Sequence, residues 1–191
     1  MFQSFHNSSF LDLFFKESLR YRNVLPFPTF ATPIGAAMSI QATAPYRHLS
    51  YPQIGIRGAQ NSHEGWEYSE KHGMRVMFVE EVQKVGIDAV VREARDLVGD
   101  MPVYLSFDID SPDPVFAPGT GTPEIGGLTT PEALALVRGF SGLSYVGADV
   151  VEVSPPFDVG GLTSLTAATI MYEILCNMSE VCAARNKATP G

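Results

Sequence analysis

The stretch PVYLSFDIDSPDPVFAPGTGTPEIGGLT, residues 102–129, decides how the rest of the chain reads. It opens as an apolar run of strand length and runs directly into Asp108-Ile109-Asp110. If the extended geometry continues, alternation aims Asp108 and Asp110 the same way, so two carboxylates converge at a strand end. Left alone they would repel each other, and a divalent cation is the simplest compensation. Two other readings of the same residues stand beside this one. The aspartates could be solvated loop acids with Asp113 making a turn, or the DxD of a metal-dependent sugar transferase. A calcium loop fails, because counting from Asp108 puts Asp113 where glycine is needed and Gly119 where a bidentate Glu should be. Gly119, Gly121, Gly126 and Gly127 would let the loop turn tightly. They form no phosphate loop, since no GK[ST] follows.

Outward from this stretch the chain alternates. QIGIRG (53–58) and MRVMFVEE (74–81) read as short buried strands. GIDAVVREARDLVG (86–99) spaces its apolar residues for a helix closed by Gly99. TTPEALALVRGF (129–140) starts with a Thr N-cap and Pro131 in the first turn. SYVGADVVEVSPP (144–156) is another buried strand, and LTSLTAATIMYEILCNM (162–178) a closing helix. This order predicts an α/β fold, three layers α/β/α with a mostly parallel sheet. Continuously apolar strands predict helices over both faces. In such a sheet ligands bind beyond the carboxyl ends of the strands, where Asp108 and Asp110 stand.

Residues 1–50 differ in texture. PFPTFATP marks irregular backbone, and only SFLDLFFKESLRYR has a helical rhythm. The expected organisation is an irregular segment over 1–50, a folded region over 51–180 and a tail over 181–191. No stretch of 1–50 reads as a strand of the sheet.

Composition narrows the function. Thirteen Lys and Arg against 21 Asp and Glu give a net charge of -8, which argues against a phosphate-backbone binder, so no nucleic-acid partner is expected. An acidic surface favours a small cationic substrate. Cys176 and Cys182 form no CxxC unit and read as helical thiols in a reducing compartment. No apolar run approaches the roughly 20 residues that span a bilayer, so no membrane partner is expected. The setting is expected to be cytoplasmic. A mitochondrial presequence is the alternative, since Lys16, Arg20 and Arg22 outnumber Asp12 and Glu17 early in the chain.

The segment SFDIDSPDPVFAPGTGTPEIGGLT (106–129), with GADVVEVSPPFD (147–158) and QIGIRG, resembles the C-terminal signature of the ureohydrolase family, the arginases, agmatinases and guanidinobutyrases, and its agmatinase branch most. The resemblance implies an arginase-like fold and hydrolysis of a guanidino compound, agmatine as best guess, to urea and an amine. It implies a two-manganese centre, with Asp108 and Asp110 as metal ligands and Glu124 as the carboxylate that pairs with the substrate guanidinium. It also implies a homo-oligomer, or association with intact homologues. The family's remaining ligands, a histidine in a GGDHS-type segment and an Asp-His-Asp set in a DAHxD-type segment, have no counterpart in this sequence. His6, His48, His63 and His72 lie in other contexts; His63 reads as a loop residue and His72 as a helix C-terminal one before Gly73. The expected fold is therefore incomplete. The alternative function is a truncated, non-catalytic homologue acting as an inactive subunit or remnant.

Overall fold

The computed structural model describes residues 38–42, 52–58 and 64–188. Strands are β1 Met38–Ala42, β2 Pro52–Ile56, β3 Arg75–Phe78, β4 Val103–Asp108 and β5 Tyr145–Val151. Helices are α1 Glu64–Lys71, α2 Val79–Val85, α3 Ile87–Val98, α4 Thr130–Gly139 and α5 Leu162–Ala188. The strands form one sheet in the order β3-β2-β1-β4-β5. β2 pairs with β3, and β4 with β5, in parallel, while β1 is antiparallel to both β2 and β4. Four strands thus share one direction and a single reversed strand sits in the middle, an α/β sheet as the alternation predicts.

β1 corrects the expectation that residues 1–50 contain no strand of the sheet. MSIQA pairs with β4 from Met38↔Phe107 to Ala42↔Val103, and with β2 at Met38↔Ile54 and Ser39↔Gln53. Five residues amid Pro and Thr carry too little local pattern to announce a strand, and its place is set by partners far along the chain. The helical rhythm of SFLDLFFKESLRYR, and His6, His48 and His63, lie outside the described residues.

Two further boundaries move. MRVMFVEE is a strand only over Arg75–Phe78, and VEEVQKV turns into α2. Its Glu, Gln and Lys are good helix formers, and Glu80 and Glu81 sit in the first turn where the helix dipole favours acids. α5 runs on through residues 181–188, expected to be tail, because VCAARNKA contains nothing that stops a helix. The span Val159–Ala184, most of it in α5, is long and apolar enough to cross a membrane by length and composition, so the expectation of no such run does not hold. Here that helix lies against β5 and α4. Ala167, Ile170, Ile174 and Met178 are buried, and Asn177 Nδ2 donates to the Val137 carbonyl at 2.7 Å.

The helix termini follow from local chemistry. Thr129 caps α4 in a capping box: its Oγ1 accepts from Glu132 N, and the Glu132 carboxylate accepts from Thr129 N at 2.8 Å. Gly99 ends α3 in a positive-φ conformation (52°), its N–H bonded to the Arg95 carbonyl. Arg95 in turn donates to the carbonyls of Gly139 and Ser141, fixing α3 to the end of α4.

Val103, Leu105 and Phe107 of β4 are fully buried with Ile54 and Ile56 of β2, Val90 and Ala94 of α3 and Leu136 of α4. Each large side chain in this core contributes about 1.5–3 kcal/mol by leaving water. Tyr104, Ser106 and Asp108, on the other face of β4, are only half-buried. The two faces are therefore unequally covered, where the apolar run predicts equal cover.

Candidate active site at the carboxyl end of β4

Asp108 is the last residue of β4, paired in register with Val151 of β5. The extended geometry does not continue to Asp110. The chain turns at once, with Ser111 N donating to the Asp108 carbonyl at 3.0 Å. Asp110 N donates to Asp108 Oδ1 at 2.9 Å. This side-chain turn, rather than strand alternation, brings the two acids together.

Both carboxylates are in unfavourable surroundings for charge. Burial pushes Asp108 up to about 7, with repulsion from Asp110 and Glu152 in the same direction; the Asp110 N–H and Arg57 oppose it. Burial also raises Asp110, against a hydrogen bond from Thr122 Oγ1 to its Oδ2 and the charge of Arg57. Asp110 is 2% exposed, yet its Oδ1 has no hydrogen-bond partner among the described residues. A buried carboxylate oxygen without a donor is costly for a structural acid and suits a cation ligand. The pair thus offers hard oxygen donors. Among the described residues, no group of three His, Cys, Asp or Glu comes together as a metal cluster.

Asp113 does the work of a turn acid. Its carboxylate accepts from the N–H groups of Val115, Gly126 and Gly127, and these bonds hold it below the usual carboxylate range. Glu124 lies next to β2: a Cβ at Gly58 would stand 3.0 Å from its Oε2, and its carbonyl accepts from Arg57. His72 is a helix-end residue, as its place before Gly73 predicts; it stacks on Tyr68, and its Nδ1 is 2.8 Å from the Tyr68 carbonyl oxygen.

Three residues of the site escape the sequence reading. Arg57, at the end of β2, is 5% exposed and reaches across to both mouths of the β4–α4 loop. Thr122 holds Asp110. Glu152, just past β5, is the one non-glycine residue with positive φ (68°) among the described residues. A left-handed Glu costs about 1–2 kcal/mol, and surroundings must hold it there. They do: Thr120 Oγ1 donates to its carbonyl at 3.0 Å, and Thr120 pairs with Val153 as an isolated bridge. Its charge raises Asp108. The available signals were an arginine closing the apolar QIGIRG and a glutamate breaking the apolar ADVVEV.

The loop is closed by close approaches only glycine permits. A Cβ at Gly119 would lie 2.5 Å from Asp158 Cα. Gly119 N donates to Thr163 Oγ1, and its carbonyl accepts from Ser154 N, joining the loop to the start of α5.

Comparison with known proteins agrees with this geometry. The arginase family matches residues 28–176, a span that begins before the boundary expected at residue 51. The chain is 50% identical over 161 residues to the guanidinopropionase of Pseudomonas aeruginosa, covering 84% of this chain and 49% of that protein. It is 48% identical over 137 residues to an Escherichia coli agmatinase, covering 70% of this chain and 42% of that protein. Among solved structures, proclavaminate amidino hydrolase from Streptomyces clavuligerus superposes with a TM-score of 0.64 at 45% identity, covering 68% of this chain and 42% of that one. The chain spans about half the length of the curated relatives it matches. With a matching fold and a match over most of its length, the chain belongs to the arginase family.

Proposed function

We propose that this chain carries the carboxylate half of a site that hydrolyses a guanidino compound: water adds to the guanidinium carbon, a C–N bond breaks, and urea and an amine leave. The observation that carries this reading is the pairing of half-buried Asp108 with buried Asp110 at the carboxyl end of β4, with an Asp110 oxygen that no group among the described residues satisfies. Asp108 and Asp110 would hold divalent cation, manganese by the family resemblance, which when bound lowers the pKa of water and stabilises developing charge. Thr122 keeps Asp110 oriented by donating to its second oxygen. Glu124 and Glu152 are the two carboxylates that could take the planar guanidinium in a fork. Glu152 has the stronger position, being strained and within electrostatic reach of Asp108.

The resemblance favours agmatine as substrate. Identity is as high to a relative named for a guanidino acid as to one named for agmatine, so both chemistries belong in the assay. The test is urea release by the purified chain with manganese, offered agmatine, 3-guanidinopropionate, 4-guanidinobutyrate and arginine, with Asp108→Asn as control. Release that this substitution abolishes supports the proposal; none from folded protein overturns it as a description of the chain alone.

A second reading, a non-catalytic subunit that associates with intact relatives, has one observation in its favour. Leu162, Leu165, Met171, Tyr172 and Leu175 leave an exposed apolar surface on α5, of the kind that marks association. Urea release from the chain alone would contradict this reading, whereas activity or stability gained only on mixing with a full-length relative would support it.

A further inference from the structure

Arg57 is almost fully buried, and among the described residues its side-chain hydrogen bonds all go to main-chain carbonyls. Nη2 donates to Asp110 (2.8 Å), Pro112 (3.3 Å) and Glu124 (2.6 Å). Nη1 donates to Ser111 (3.3 Å), and Nε to Glu124 and Ile125 (3.2 Å each). The carbonyls come from two separate segments, 110–112 leaving β4 and 124–125 approaching α4. Carbonyl dipoles gathered at one buried point repel unless a cation sits among them, and buried acceptors left unpaired cost more still. Burial lowers the pKa of Arg57, with Asp113, Glu124, Asp110 and Asp108 opposing that shift. A guanidinium keeps its charge regardless.

We infer that Arg57 is the positioning residue of the site: it fixes Asp110 relative to Glu124 by gripping the main chain on which both are carried. Among the described residues its hydrogen bonds reach no carboxylate; it acts through the loop. The geometry demands a planar fork, because donors must leave in divergent directions within one plane to reach both segments. Lysine, a point charge with three donors, cannot span them. Gly127 leaves room for the fork, since a Cβ there would stand 2.7 Å from Nη2. That the gripped residues serve guanidino hydrolysis rests on the proposed function; that Arg57 holds the loop does not.

The test uses the full chain with Arg57→Ala and Arg57→Lys, followed by amide hydrogen exchange. The reporters are the Asp113 and Leu128 amides, bonded to the carbonyls of Leu128 and Ser111, against the β4 amides of Leu105 and Phe107. In both variants the loop amides exchange about tenfold or more faster while the β4 amides hold, as local opening requires. Low-millimolar guanidinium restores loop protection to Arg57→Ala, and sodium chloride at equal ionic strength does not. Manganese affinity, read from the electron paramagnetic resonance of free Mn(II), falls in parallel with loop protection and returns with guanidinium. Unchanged loop protection in both variants overturns the inference. So does equal loss in loop and β4, which would make Arg57 a prop of the fold alone. Should Arg57→Ala fail to fold, Arg57→Lys carries the same comparison, since it keeps the charge and most of the volume. If the unsubstituted chain binds no manganese, the proposed function fails while hydrogen exchange still decides the role of Arg57.

Discussion

Arg57 and Asp110, 53 residues apart in sequence, are joined by a hydrogen bond of 2.8 Å from the guanidinium Nη2 to the Asp110 carbonyl oxygen. The bond ties the end of β2 to the turn that follows β4, across the position that β1 occupies between them. The carboxylate pair thus rests on a cross-sheet contact as well as on its own strand, and several consequences can be measured.

Gly127 stands beside this contact. A Cβ there would lie 2.6 Å from Asp113 N and 2.7 Å from both Arg57 Nη2 and the Pro112 carbonyl carbon. Two of the three neighbours are backbone and cannot step aside. Gly127→Ala is therefore expected to lose about 1–3 kcal/mol of stability through overpacking, seen as a lower urea midpoint with an unchanged slope. A wild-type midpoint would mean the loop is looser than described.

Asp158 should give the protein an acid-sensitive end to α5. Hydrogen bonds from Ser164 Oγ and from the N–H groups of Ser164 and Thr163 hold its carboxyl at about 2. A folded-state pKa below the unfolded value of about 4 makes the contribution complete above that pH. It is lost as pH falls toward about 2. Asp158→Asn is expected to lower stability at neutral pH and to flatten the stability curve between about pH 4 and 2. Urea midpoints measured across that range check the sign, and parallel curves for the two proteins would count against it.

Glu152→Gly separates strain from function. Glycine accepts the left-handed conformation freely but has more freedom to lose on folding. The net expectation is a gain of about 0.5–1 kcal/mol. If Glu152 pairs with the guanidinium, the same change lowers urea release. Denaturant titration and the urea assay on one preparation read both. A stability loss with activity retained would refute the assignment.

Proline at position 40 tests the central strand. Ile40 lies opposite Leu105 in the ladder, and a proline inside a central strand removes a donor and cannot fit the pairing. Ile40→Pro is expected to cost at least the roughly 1–3 kcal/mol of a buried ladder partner left unsatisfied, a large part of the stability of a marginal domain. A thermal transition equal to that of the unsubstituted chain would remove β1 from the sheet.

What could be read from sequence was what is local. The strand PVYLSF, the Thr129 cap with Pro131 behind it and the Gly99 stop each depend on neighbours within a few residues. Asp108 and Asp110 stood out for the same reason, although an Asx-type turn and not the pleat brings them together. β1 and Arg57 were illegible because their partners are distant: MSIQA is a strand by virtue of β2 and β4, and Arg57 has meaning only once residues 110–112 and 124–125 fold back over it. VEEVQKV shows the limit of a short apolar run, where Val79 and Val82 are buried equally well by a helix.

The account stands on Asp108 and Asp110 as a cation-holding pair. The most direct measurement is a Mn(II) titration of the chain and of Asp110→Asn, with free manganese followed by electron paramagnetic resonance. The account predicts that the unsubstituted chain removes manganese from solution and that the substitution weakens binding about tenfold or more. Equal binding by the two proteins, or none by either, would contradict it.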